Sequence, residues 1–233
     1  MRNLYLIRHG QARFGEANYD LLSDRGIRQS ALLGEWLVKT AHAPGLFISG
    51  TMERHRQTAQ ACFEGWGLGG DRAYMSDAQF DEFDMHAVLQ RHRPDLNDWT
   101  AIAAFMAKSA DPHREIQTLL SESVIRWICG LYDADYAESW PDFRARCIAG
   151  VMRAVETAAD EQSIYIFTSG GPIAAICQYF LGLPDKQLDA LLWVILNSSV
   201  TRLAFGSQGG KVHSFNGVAH LEYAGDASLL TYR

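Results

Sequence analysis

The sequence predicts an α/β fold, a mostly parallel sheet layered between helices on both of its faces as a three-layer sandwich. The first observation is a set of short, almost wholly apolar runs: Leu4-Tyr5-Leu6-Ile7, Leu46-Phe47-Ile48 and Ser163-Ile164-Tyr165-Ile166-Phe167. Unbroken hydrophobicity over so few residues suits strands buried on both faces. The second is that segments with helical spacing separate these runs. The third is that a polar, glycine-containing segment follows each run, as expected where strands of such a sheet end and ligands bind.

Each element can be justified in order. After the first run a loop leads to Ser23, and Ile27, Ala31, Leu32, Leu33, Trp36 and Leu37 then recur at the helical period, with Ser23 or Asp24 suited to the N-cap. The second run passes through Ser49 into a helix over Glu53–Glu64. From about 85 to 137 the pattern is helical, broken at Pro94 and Pro112, with Ile102, Phe105 and Met106 on one face and Ile116, Leu119 and Leu120 on another. This stretch reads as a helical insertion in a single domain spanning residues 1–233. A helix from Trp140 to Ala159 returns the chain to the third run, and Gly170-Gly171-Pro172 opens another through Leu181, with Pro172 suited to its first position. Val200–Phe205 and Lys211–Phe215 form a hairpin around Ser207-Gln208-Gly209-Gly210. Trp99, Trp127, Trp140 and Trp193 read as core or cap packing residues.

Composition narrows the function classes. With 48% hydrophobic residues among 233, the chain can bury a sizeable core. Its net charge is −6 and no block of lysine or arginine stands out, which argues against nucleic acid as a partner. No apolar run is long enough to span a bilayer, and the N-terminus enters a strand without a basic leader, so the expectation is a cytoplasmic protein with no membrane partner. Cys62, Cys129, Cys147 and Cys177 form no CxxC pair and each lies in a helix-like apolar stretch, which reads as buried thiols in a reducing compartment. No His/Cys/Asp grouping has metal-ligand spacing, so neither metal nor cofactor is expected. The sequence is compatible with a homodimer.

The chemistry lies after the strands. Arg8-His9-Gly10 follows the first, Ser49 to Arg54 the second and Thr168-Ser169-Gly170-Gly171 the third, so three polar segments share one edge of the sheet. A guanidinium fork matches phosphate oxygens, and a neutral imidazole beside it can attack phosphorus. Taken alone, Arg8 and His9 could equally be a surface pair at a strand end.

Leu6-Ile7-Arg8-His9-Gly10-Gln11 resembles the signature of the histidine phosphatase superfamily, the clan of phosphoglycerate mutases and acid phosphatases. The resemblance continues through Leu22-Ser23-Asp24-Arg25-Gly26-Ile27-Arg28-Gln29, similar to a Leu-Thr-x-x-Gly-x-x-Gln segment, and Ser49 through Arg54-His55-Arg56-Gln57-Thr58-Ala59, similar to Ser…Arg-Ala-x-Gln-Thr-Ala. It implies a phosphoglycerate mutase-like sandwich and a phosphatase acting through phosphohistidine on a small phosphorylated metabolite. It also implies His9 as nucleophile, Arg8 and Arg54 as the phosphoryl clamp, and no cofactor. Glu82, in Phe80-Asp81-Glu82-Phe83-Asp84 after a probable strand, resembles the family's acid, with Asp81 and Asp84 as competitors. Ser169 stands where the family has a second pocket histidine, in Ser-His-Gly-Gly. Serine offers a neutral hydrogen bond in place of a cation, with backbone N–H groups from Gly170 onward still facing the site, so a histidine restored at 169 is expected to raise turnover. The alternatives are a non-catalytic binder of phosphorylated ligands and a mutase-type phosphotransferase, for which Arg91, His92, Arg93 and Arg114 are the basic residues available. Gln11, Phe14, Asn18 and Tyr19, with His86, are placed at the substrate mouth, while His220 resembles a late structural histidine.

Overall fold

The computed structural model describes residues 2–13, 20–159 and 163–232. Along the chain run β1 (Arg2–Arg8), α1 (Asp24–Lys39), β2 (Leu46–Ser49), α2 (Glu53–Gly65) and β3 (Met75–Ser76). The helical stretch follows as α3 (Met85–His92), α4 (Trp99–Met106) and α5 (Pro112–Ile128), then α6 (Trp140–Thr157), β4 (Ile164–Thr168) and α7 (Gly170–Leu181). The chain finishes with α8 (Leu188–Leu192), the hairpin β5 (Val200–Gly206) and β6 (Gly209–Gly217), and α9 (Ala219–Tyr223). No helix among the described residues is long and apolar enough to cross a membrane.

The strands form one sheet in the order β3-β2-β4-β1-β5-β6. β4 lies between β2 and β1 and is parallel to both, while β5 and β6 close the far edge antiparallel. Alternation along the strands divides the core. Tyr5, Ile7, Phe47, Tyr165 and Phe167 face Leu33 and Leu37 of α1 and Ala59, Cys62 and Phe63 of α2. Leu4, Leu6, Ile48, Ile164 and Ile166 face the other way, onto Cys147 and Val151 of α6 and Ile173 and Ile176 of α7. The period of two along a strand thus yields the three layers.

The stretch from α3 to α5 has a small core of its own, Leu89, Leu96, Ile102, Ile116 and Leu119, and joins the main core through Val124, Trp127 and Ile128 at the end of α5. Three sequence expectations need correction. Cys129 is exposed, since it lies just past α5 where the chain turns to solvent. Ile27 is 45% exposed, and the buried face of α1 carries Gln29 and Ser30 instead. Pro172 is the third residue of α7, because Gly170 and Gly171 are already helical.

Candidate active site

His9 follows β1, and every backbone group around it is held. Its N–H donates to the Thr168 carbonyl at 2.8 Å, and its own carbonyl accepts from Ser198 N at 3.1 Å and Asn197 Nδ2 at 3.2 Å. Gly10 N donates to Thr58 Oγ1 at 3.0 Å, while Gln11 N donates to Gln29 Oε1 at 2.8 Å. That is why Gln29 is buried on α1. A Cβ at position 10 would lie 2.3 Å from the Gly26 carbonyl oxygen, so the turn into α1 closes only around glycine.

His9 is 4% exposed, and its Nδ1 lies 2.7 Å from the Gly10 carbonyl oxygen. A carbonyl only accepts, so Nδ1 carries the hydrogen and Nε2 presents its lone pair. Burial holds the imidazole well below its usual pKa, reinforced by Arg54, Arg8 and His55. A neutral ring with Nε2 available is the form that attacks phosphorus.

Two guanidiniums bear on that ring. Arg8 ends β1 and donates to the Ile195 carbonyl; a Cβ on Gly170 would come within 3.7 Å of its Nε. Arg54 is in the first turn of α2, 5% exposed, with Nη1 2.7 Å from Asp20 Oδ1. The other oxygen of Asp20 accepts from Glu53 N at 2.8 Å. A carboxylate therefore sits at the positive end of α2, where the helix dipole favours an anion.

Glu82 follows a 3-10 turn, Ala78–Phe80, and not the short β3 directly. Its segment is pinned by Thr168 Oγ1 donating to the Phe80 carbonyl at 2.6 Å and Arg146 Nη1 donating to the Gln79 and Asp81 carbonyls, each at 3.0 Å. The carboxyl lies against the start of α7, accepting from Gly171 N at 3.1 Å and Phe83 N at 3.2 Å. Burial raises its pKa, opposed by the Gly171 N–H and by Arg54 and Arg8. Its competitors are engaged elsewhere. Asp84 caps α3 at Ala87 N, and Asp81 accepts from Thr51 N at 2.6 Å.

Ser169 is fully buried at the N-cap of α7, yet its hydroxyl makes no capping bond. It meets Nε2 of His55 at 2.6 Å instead. His55 is also fully buried, with its ring centroid 5.9 Å from that of His9 and its Nδ1 3.7 Å from Asp81 Oδ1. Sequence reasoning missed His55, although its departure from alanine in the second motif was legible. Any larger side chain at 169 would extend toward a ring already in contact.

The mouth residues fare differently. Gln11 Oε1 accepts from Ser23 Oγ at 3.0 Å, which ties its side chain to the turn after His9. His86 is on α3, beside Gln90 at 3.5 Å. Phe14, Asn18 and Tyr19 lie outside the described residues. His220 is buried beneath Ser198 Oγ at 3.2 Å. Among the described residues no group of three His, Cys, Asp or Glu side chains converges to hold a metal ion.

A neutral imidazole, two guanidiniums and a buried carboxyl at the carboxyl edge of such a sheet form the set that phosphoryl transfer through histidine requires. The chain belongs to the histidine phosphatase superfamily (branch 1), whose family model matches residues 4–217. Similar solved structures include a mycobacterial glucosyl-3-phosphoglycerate phosphatase, 24% identical, with a TM-score of 0.63 over 93% of this chain and 99% of that one. A phosphoserine phosphatase mutant from Entamoeba histolytica in complex with phosphoserine is 17% identical, with a TM-score of 0.59 over 95% and 100%. A phosphoglycerate mutase from Bacillus anthracis is 15% identical, with a TM-score of 0.61 over 96% of each chain. A comparison with curated proteins finds no match.

Proposed function

We propose that the protein hydrolyses the phosphomonoester of a small metabolite in two steps through phosphohistidine at His9. The observation that carries this reading is the His9 ring itself, locked by Gly10 into the tautomer whose free nitrogen is Nε2, between two arginines. Nε2 attacks phosphorus while Arg8 and Arg54 balance the charge on the phosphoryl oxygens. Glu82 gives its proton to the leaving alkoxide, a task suited to a carboxyl whose pKa burial has raised. Water then attacks phosphohistidine, Glu82 takes back a proton, and phosphate departs. The phosphatases among the similar structures support this choice, since their names give glucosyl-3-phosphoglycerate and phosphoserine, both small phosphorylated metabolites, as substrates.

The mutase alternative is weaker on the geometry. Of its four basic residues, Arg93 forms two hydrogen bonds with Asp95, and His92 faces Glu122 at 3.5 Å. Both are engaged within the insertion. Rapid-quench mixing with an aryl phosphate tests the proposal. Acid-labile, base-stable phosphate on the wild-type protein, absent from His9→Ala, is the expected result; tight phosphate binding with no labelling points to a binder.

A further inference from the structure

We propose that His55 is a positioning residue for phosphoryl transfer, acting through Ser169 so that Asp81, His55 and Ser169 together replace the missing pocket histidine. This rests on the phosphoryl-transfer reading above. Two departures from the family's motifs, alanine to histidine at 55 and histidine to serine at 169, come from segments more than a hundred residues apart. In the fold they touch, Nε2 to Oγ at 2.6 Å. The imidazole lost from one strand end is supplied from the next.

The surroundings are built for this ring. His55 and Ser169 are both fully buried, an arrangement costly for polar groups unless they partner each other. A Cβ on Gly50 would lie 2.2 Å from His55 Nδ1 and 2.7 Å from Asp81 Oδ1, so the backbone leaves that space to the pair. Thr51, through both its N–H and its hydroxyl, holds Asp81 in place. The Ser169 hydroxyl, unused as a helix cap, has no competing task there.

Proton bookkeeping gives the arrangement a function. A serine hydroxyl has one hydrogen and two acceptor sites. When His55 carries protons on both nitrogens, Nε2–H donates to Ser169 Oγ, whose own hydrogen then points on to a phosphoryl oxygen. Asp81 balances the imidazolium. When His55 is neutral with its hydrogen on Nδ1, the hydroxyl turns back toward Nε2 and that donor is withdrawn. The charged groups acting on the ring are Arg54 on its own helix and Asp81 and Asp20 from adjoining segments, with the ring of His9 beside it. Burial lowers the His55 pKa, with Arg54 acting the same way against the two aspartates. A dianion beside Ser169 reverses the balance, so anion binding draws a proton onto His55.

Two measurements test this. With an aryl phosphate, His55→Ala and Ser169→Ala each lower kcat/KM about 10²-fold, the usual scale for losing one aimed donor. The exchanged pair His55→Ala/Ser169→His recovers to within about tenfold of wild type, whereas Ser169→His alone falls further, the reverse of the gain expected from the sequence, because the His55 ring already meets that side chain. Calorimetric titration with sulfate, whose charge is constant near neutrality, in buffers of different ionisation enthalpy shows proton uptake in the wild type. His55→Asn abolishes that uptake. Wild-type kcat/KM and pH profile in both single variants, or unchanged uptake in His55→Asn, overturns the proposal, as does an exchanged pair that is folded but no better than His55→Ala. If no phosphoenzyme forms yet uptake still depends on His55, the relay stands and the phosphatase reading fails.

Discussion

Burial disfavours the charged forms of both side chains proposed to react, lowering the pKa of His9 and raising that of Glu82. The first chemical step needs that combination. As pH falls through the depressed pKa of His9 the nucleophile is protonated, and as pH rises through the elevated pKa of Glu82 the acid is lost, so kcat/KM should peak on the acidic side of neutrality. Glu82→Gln should remove the alkaline limb and lower kcat by roughly 10²–10⁴ for an alkyl phosphate, and by less for an aryl phosphate with a good leaving group. Stopped assays across pH 4–9, chosen to span these ordinary pKa values, check both outcomes. At this scale the sequence was informative where residue type and chemistry coincide, as at Arg8, His9 and Arg54. It was silent on His55, because nothing linear connects residue 55 to residue 169. The contact exists only because β2 and β4 lie side by side.

Glycines decide how closely the elements carrying the site approach. A Cβ on Gly171 would fall 1.9 Å from Glu82 Oε1 and 2.8 Å from Phe83 Cδ1, so Gly171→Ala should drive the carboxyl off the start of α7. Crystallography should show Glu82 displaced, and kcat should fall at least about tenfold, the scale of a misplaced acid. A Glu82 that keeps both its N–H bonds in the variant would contradict this. Behind the site, a Cβ on Gly34 would lie 2.1 Å from the Cys62 carbonyl oxygen and one on Gly65 2.1 Å from that of Ala31, which sets the spacing of α1 and α2. Gly34→Ala should cost about 1–3 kcal/mol in urea unfolding, the range for overpacking. The buried strands were legible because their hydrophobic runs are continuous, and the hairpin because Ser207-Gln208-Gly209-Gly210 marks its turn. β3 was legible only as a strand without bounds before the Glu82 segment, since its two residues are exposed and paired only by backbone. The polar face of α1 was misread for a related reason: Gln29 is buried to hold Gln11, a contact no periodicity reveals.

The molecule as a whole carries an acid sensitivity. His9, His55 and His220 are all buried with lowered pKa values, His220 to about 4. Above about pH 6.5 these rings are neutral in both folded and unfolded chains and contribute no pH dependence. As pH falls from there through the folded values, the unfolded chain takes up protons the folded one refuses, and stability declines. For His220 alone the loss by pH 4 is on the order of 3 kcal/mol. Urea unfolding at pH 7 and pH 5 should show the midpoint falling, and His220→Gln should flatten part of that slope. A midpoint that rises on acidification would contradict it. The three-layer plan was readable from strand–helix alternation.

A crystal structure with vanadate is the most direct measurement of whether the segments after β1 and β2 deliver one imidazole and two guanidiniums to a single anion. Vanadium should be bonded to Nε2 of His9, with its equatorial oxygens on Arg8 and Arg54 and the Glu82 carboxyl facing the apical oxygen opposite. Vanadate bound elsewhere, or at this site with His9 Nε2 turned from the metal, would contradict it.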